Sequence, residues 1–393
     1  MNNWERLSSK EIKNLQEDFL NWYDQNRRNL PWRENHDPYR IWISEIMLQQ
    51  TRVVTVIDYF YRFMAAFPDI ATLAVAPEEQ LLKIWEGLGY YSRARNIQAA
   101  AKEMVEKFNG QMPRTLPEIA SLKGIGPYTA GAIASIAFGL PEPAIDGNVM
   151  RVVSRLFEID ADIAKPASRK VFDQGMRQIL PKTAPGDFNQ AMMDLGSSIC
   201  TPKSPNCAVC PLQNYCLAYQ KGNQENYPVK TKKQPPKPMY YLAFAIENSE
   251  QEYGLIQRGE QGLLAKMWTF PLLEVTKEEY QRYQRSYNTG QLELERTADL
   301  DFVAEEALPE LPNLAIDLGN VVWQTRHLGE ISHIFSHLKW QVLLFYGRQI
   351  QENSPSDQVR WVSAHDFPNF VFPKPQQKLV ALLQKNGAIS KDF

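Results

Sequence analysis

Apolar residues recur at three- and four-residue spacing through 41–57, 80–85, 97–108, 130–138 and 149–157, the period of helices packed on a core. Proline and glycine punctuate these runs. Pro77 before Glu78 and Glu79, and Pro117 before Glu118, have the make-up of first helical turns. The texture changes at 227–238 (YPVKTKKQPPKP), a proline- and lysine-rich stretch without periodicity that reads as a semi-rigid linker. Beyond it, 240–247, 253–258, 321–325 and 339–346 are strand-like runs rich in aromatic and β-branched residues, and 376–383 suits a closing helix. The pattern predicts a mainly α domain over 1–226, a linker over 227–239 and an α+β domain over 240–393. The acidic stretch 299–310 reads as a solvated loop or short helix.

At 393 residues the chain is long enough for two domains with separate cores. With 44% hydrophobic and 22% charged residues it has globular composition, which excludes a mostly disordered chain. No apolar run approaches the roughly 20 residues of a membrane helix. The start, Met1-Asn2-Asn3-Trp4-Glu5-Arg6, lacks a signal peptide's apolar stretch, so a soluble cytoplasmic protein is expected. A net charge of −2 excludes a bulk polycation, so any nucleic-acid affinity has to come from local patches. Residues 226–240 are one such patch, with four lysines and no acid.

All four cysteines lie within one short segment, spaced Cys200-x6-Cys207-x2-Cys210-x5-Cys216. A disulfide framework would spread its cysteines over the fold, so this cluster points to a metal centre. Zinc sites commonly use two short Cys-x2-Cys knuckles; here only the central pair is short. The wider loops favour a 4Fe–4S cluster over zinc.

Three further features carry chemistry. Leu122-Lys123-Gly124-Ile125-Gly126-Pro127 joins two helical runs. Gly124 and Gly126 permit a tight turn, and the N–H groups of the next helix can hold a phosphate. An ordinary helix–helix turn is the alternative. Glu45 stands in the apolar run Ile41-Trp42-Ile43-Ser44-Glu45-Ile46-Met47-Leu48, where desolvation should raise its pKa towards that of a general acid. The competing reading is a partly exposed glutamate paired with an arginine. Asp146, in Ile145-Asp146-Gly147-Asn148-Val149, has the position of an N-cap. It could equally be a carboxylate kept ionised by the helix dipole and facing a developing cation. An acid and an anion together form the two-carboxylate logic of glycoside cleavage.

The cysteine loop and the Gly-x-Gly hairpin before it resemble the endonuclease III superfamily of DNA glycosylases. The segments Trp42–Thr51, 87–96 (GLGYYSRARN) and 146–149 (DGNV) resemble its MutY adenine DNA glycosylase branch. The resemblance covers about 220 residues with several motifs in order and continues into the second domain. It implies a helix-hairpin-helix glycosylase domain with one 4Fe–4S cluster on Cys200, Cys207, Cys210 and Cys216. The implied activity is excision of adenine mispaired with 8-oxoguanine or guanine in double-stranded DNA, by a protein expected to act as a monomer. Glu45 would protonate adenine at N7 and later help activate water. Asp146 would stabilise the sugar cation, with Tyr128 and Asn148 arranging the polar surroundings. Bifunctional relatives place a Schiff-base lysine where this chain has Tyr128, and a phenol forms no imine, so little or no lyase activity is expected. Gln50 and Tyr90, with Thr51 and Leu88 nearby, would fill the gap left by the extruded base. Gly124 and Gly126 would approach the backbone. Arg33, Arg93 and Arg95 are candidate phosphate contacts, or solvated surface arginines.

In the second domain, Leu263-Leu264-Ala265-Lys266-Met267-Trp268-Thr269-Phe270-Pro271 resembles the LLxGxWxFP segment of Nudix domains. The metal-binding carboxylate pattern that should follow is missing from 274–286, so this Nudix-like domain should bind rather than hydrolyse. Phe335-Ser336-His337 matches the family's loop that contacts 8-oxoguanine; a β-turn with a packing Phe is the plainer reading. Because adenine is undamaged, specificity must come from reading the opposite base. Three alternatives are weaker. An endonuclease III-type glycosylase/lyase conflicts with Tyr128 and the second domain, a non-catalytic DNA binder with the presence of both Glu45 and Asp146, and a Nudix hydrolase with the missing carboxylates.

Overall fold

The computed structural model describes residues 3–232, 234–294, 320–324, 326–351 and 358–390. The acidic stretch 299–310 lies outside them. The chain divides into two compact units, Met1–Lys233 and Gln234–Phe393. Among the described residues no helix is long and apolar enough to cross a membrane.

The first unit is helical: α1 (Ser9–Asn26), α2 (Pro38–Leu48), α3 (Val53–Ala66), α4 (Ile70–Val75), α5 (Glu78–Ile84), α6 (Ser92–Lys107), α7 (Leu116–Ser121), α8 (Pro127–Phe138), α9 (Gly147–Phe157), α10 (Arg169–Ile179), α11 (Pro185–Ser198) and α12 (Leu217–Gln220). Local chemistry sets their starts. Ser8 and Glu11 close a capping box on α1, and Asp37 caps α2 with Pro38 at its first position. Asp146 caps α9. Helix α2 is buried along most of its length, from Tyr39 to Met47, so a carboxylate on it has little access to water. The α1, α9, α10 and α11 faces share one core that includes Phe19, Val153, Phe172 and Leu195. The lysine-rich segment after Tyr227 lies against this unit rather than swinging free. Ile163 N donates to the Val229 carbonyl at 3.0 Å, and Thr231 N donates to the Asp162 carboxylate at 3.1 Å.

The second unit holds β1 (Lys237–Glu247), β2 (Glu252–Gln257), β3 (Trp268–Thr269), β4 (Leu272–Val275), α13 (Lys277–Leu294), β5 (Asn320–Trp323), β6 (Gly329–Ile334), β7 (Leu338–Gln351), β8 (Val359–Ser363) and α14 (Lys374–Lys385). Its sheet runs β3-β2-β1-β7-β5, with β4 on β1, β6 on β7 and β8 on β2. β1 and β7 pair in parallel from Lys237↔Leu338 to Glu247↔Arg348. Successive β1 residues enter opposite cores: Ala243 and Ala245 on the α14 side, Leu242, Phe244 and Ile246 against Tyr280 and Tyr283 of α13. A strand covered on both faces reads as a continuous apolar run, which is why 240–247 and 339–346 were visible in the sequence while the short β3, β4, β6 and β8 were not.

Candidate active site and cysteine centre

A cavity of about 730 Å³ in the helical unit is lined by Glu45 from α2, Tyr128 from the start of α8, and Asp146 and Asn148 from the start of α9. Glu45 is 6% exposed, and the Tyr128 hydroxyl donates to its Oε2 at 2.5 Å. Burial raises the Glu45 pKa to about 7. The Tyr128 donor opposes that rise, the neighbouring Asp146 carboxylate adds to it, and Arg33 opposes it more weakly. Tyr128 itself is pushed well above the usual phenol range by burial and by Glu45, so it stays a donor.

Asp146 accepts from Val149 N at 2.7 Å and from Asn148 Nδ2 at 2.9 Å. Its pKa is nevertheless raised, because burial outweighs those bonds. This corrects the dipole-only picture: the helix start orients Asp146, but desolvation dominates its acidity, and the two carboxyls share one cavity. Asn148 is held in turn by Arg151, whose Nη2 donates to Asn148 Oδ1 at 2.9 Å and to the Gly196 carbonyl at 2.7 Å, while its Nε donates to the Cys200 carbonyl at 2.8 Å. A Cβ on Gly196 would lie 2.7 Å from Asn148 Cβ, so only glycine lets α11 approach this closely.

Gly124, at φ +79°, sits so near α6 that a Cβ would meet Asn96 Cβ at 2.6 Å. Gly126 then caps α8 with no side-chain cap, leaving first-turn N–H groups for an anion. Gly124, Gly126, Gly147 and Gln50 form the exposed rim of the cavity, with half-buried Thr51 beside Gln50. Gln50 (φ 58°) and Tyr90 (φ 47°) are non-glycine residues in the left-handed region, each at a turn before a helix; Tyr90 is 45% exposed.

The three arginines expected on phosphates have other partners. Arg93 is 8% exposed and donates to the carbonyls of Ile46, Met47, Gln49, Leu88 and Gly89, so it is a stitch between two turns and no phosphate contact. Arg33 lies in the cavity wall, forked onto Asp194 at 2.7 and 3.1 Å. Arg95 pairs with Glu78 at 2.7 Å. Leu88, two residues before Tyr90, is buried at 6% exposure. An arginine's fate depends on which acceptors the fold brings to it, which spacing cannot show.

Sequence reasoning missed Asp194, which binds both Arg33 and Arg28 in the wall. Burial would raise its pKa, but the two guanidinium groups hold it below the ordinary value. Its signal was the one that exposed Glu45, a lone acid in an apolar helical run, Ala191-Met192-Met193-Asp194-Leu195.

Cys200, Cys207, Cys210 and Cys216 line a single small cavity between α9, α11 and α12. Burial pushes the Cys210 thiol up to about 12 and the Cys216 thiol to about 11, so these two become thiolates only when a cationic centre supplies the charge. Four thiols around one shared space fit the thiolate ligand set of a metal cluster. Arg155 Nη1 donates to Cys200 Sγ at 3.3 Å.

In the second unit, Phe335, Ser336 and His337 form the tip between β6 and β7, closed by Phe335 N donating to the Leu338 carbonyl at 2.7 Å. Phe335 is half-buried with its ring 5.1 Å from Trp340, while Ser336 and His337 are exposed. Helix α13 follows the Trp268-Thr269-Phe270-Pro271 segment, but its first-turn acids Glu278 and Glu279 face solvent.

Comparisons with known proteins agree with this arrangement. Residues 43–178 match the HhH-GPD superfamily of base excision DNA repair proteins, 200–216 the iron-sulfur binding domain of endonuclease III, and 242–382 the NUDIX domain. The adenine DNA glycosylase of Mus musculus is 34% identical over 427 residues, covering 95% of this chain and 78% of that protein. That of Buchnera aphidicola subsp. Baizongia pistaciae is 41% identical over 257 residues, covering 64% and 72%. The structure of a thermostable thymine-DNA glycosylase is similar at TM-score 0.50 and 28% identity, covering 54% of this chain and 98% of that one. The chain is a DNA N-glycosylase of base excision repair, and its 200–216 loop carries one 4Fe–4S cluster. By its likeness over nearly its whole length, it belongs to the adenine DNA glycosylases.

Proposed function

We propose that this enzyme removes adenine paired with 8-oxoguanine, or with guanine, by acid-assisted hydrolysis of the N-glycosidic bond, without a lyase step. The adenine swings into the cavity and the Glu45 carboxylic acid protonates N7. The bonding pair then leaves with the base, and the Asp146 carboxylate faces the oxocarbenium-like sugar. Water adds to the anomeric carbon and its proton returns to Glu45. Asn148 orients Asp146, and Tyr128 orients Glu45 while offering no amine for an imine. The observation that carries this reading is the shared cavity: an acid with a pKa of about 7 beside a second, oriented carboxyl.

Gln50 and Tyr90, at their left-handed turns, are assigned to the gap in the duplex. Gly124, Gly126 and the α8 N–H groups are assigned to phosphate. The Ser336 hydroxyl would bond the N7–H/O8 edge of 8-oxoguanine, with Phe335 and His337 stacking or touching backbone. The four cysteines would hold the cluster, which would supply structure to the 200–216 loop rather than bond-breaking. The linker lysines add non-specific attraction, and the enzyme acts as a monomer.

Single-turnover excision from a duplex with adenine opposite 8-oxoguanine tests the assignment. Glu45→Gln and Asp146→Asn should each slow excision by roughly 10²-fold or more. Full activity in either removes its role. Borohydride should trap no covalent adduct; abundant adduct would show an amine nucleophile at work.

A further inference from the structure

Beside the reaction cavity lies a second one of about 320 Å³. The two share a wall that includes Arg28, Trp32, Arg33 and Gln190. Trp32 and Gln190 are buried, whereas Arg27, Asn29, Asn35 and His36, which line the second cavity alone, are exposed. The smaller cavity therefore reaches solvent through a rim distinct from the Gln50, Gly124, Gly126 and Gly147 rim of the larger.

Adenine excision, on the reading above, creates a problem of exit. The target nucleotide enters past the glycine-lined rim, and after bond cleavage its sugar and phosphates still occupy that rim. The detached base lies behind them and can leave that way only when the DNA does. We propose that the smaller cavity is a release vestibule for the free purine, which crosses the Arg28–Trp32–Gln190 wall and leaves past Asn29 while the abasic strand stays bound.

The lining chemistry suits a neutral, planar, hydrogen-bonding occupant. Asp194 compensates Arg28 and Arg33, and the lining holds the acid Asp187 as well as Arg27, so the space is not built for an anion. Tyr23 and Trp32 put aromatic rings in the lining, and Asn29 and Gln190 carry amides of the kind that bond a purine's polar edge. The volume exceeds that of one base. Arg28 is the more exposed arginine of the wall, its side chain 40% exposed against 12% for Arg33, and is assigned the movement. Swinging Arg28 outward leaves Asp194 still paired to Arg33.

The test uses the whole enzyme and a duplex carrying radiolabelled adenine opposite 8-oxoguanine. Bond cleavage, base retained with the complex and DNA retained with the complex are followed in one single-turnover reaction by rapid gel filtration. Wild type should shed the base while the abasic DNA remains bound. Asn29→Trp, which plugs the outer rim, should slow base release at least tenfold relative to its own cleavage rate; Arg27→Trp, from another point of the rim, should do the same. Base leaving wild type only together with the DNA, or both plugged variants releasing it at the wild-type rate, would overturn the vestibule. Absent cleavage in wild type would instead overturn the excision reading.

Discussion

Burial sets the acidity of the reaction cavity, and one hydrogen bond trims it at Glu45. Because the Tyr128 hydroxyl stabilises ionised Glu45, Tyr128→Phe should raise the Glu45 pKa above about 7. The alkaline limb of the kcat/KM profile should then move to higher pH, while a limb that stays in place would mean another group limits the rate. The same burial makes Glu45 a stability liability. With its folded pKa near 7 against an ordinary 4.5, neutral Glu45 carries no penalty below about pH 4.5, and the penalty is complete above about pH 7. Glu45→Gln should therefore gain stability relative to wild type as pH rises from 5 to 8, by on the order of 3 kcal/mol. Chemical denaturation at both pH values reads the difference. Glu45 was legible because a family-like motif surrounded a lone carboxylate in an apolar helix; Asp194 carried the same signal and was overlooked because no motif surrounded it.

At the scale of elements, turns matter more than helices. Arg93 on α6 holds the end of α2 and the 88–89 turn through five carbonyls, and these turns carry Gln50 and Tyr90. Arg93→Met keeps bulk but strands buried acceptors, and should cost roughly 3 kcal/mol in urea unfolding and weaken DNA binding besides. Unchanged stability would show that the carbonyls find other donors. The helices were readable from their period and caps, whereas Arg93 looked like a surface cation because nothing local reveals the carbonyls that surround it.

For the whole molecule, two units with separate cores should unfold in two transitions. The cysteine loop joins α11 to α12 and is tied through Arg151 and Arg155 to α9, the helix Asp146 caps. Removing iron, or Cys210→Ser, should abolish visible absorbance and lower the helical unit's transition by several degrees, leaving that of the 234–393 unit in place. A shift of both transitions together would show that the units unfold as one.

Helix periods, caps, the linker's composition and the cysteine spacing were all written within short windows of the chain. Such features depend on backbone geometry and neighbours a few residues away, so the α and α+β halves and the metal centre could be read from residue order. The meeting of Glu45 with Tyr128 across 83 positions, the Arg151 tie between Asn148 and Gly196, and the engagement of Arg33 by Asp194 and of Arg93 by buried carbonyls could not. Those depend on which distant groups share a low-dielectric space, and only packing of the helices brings such groups together.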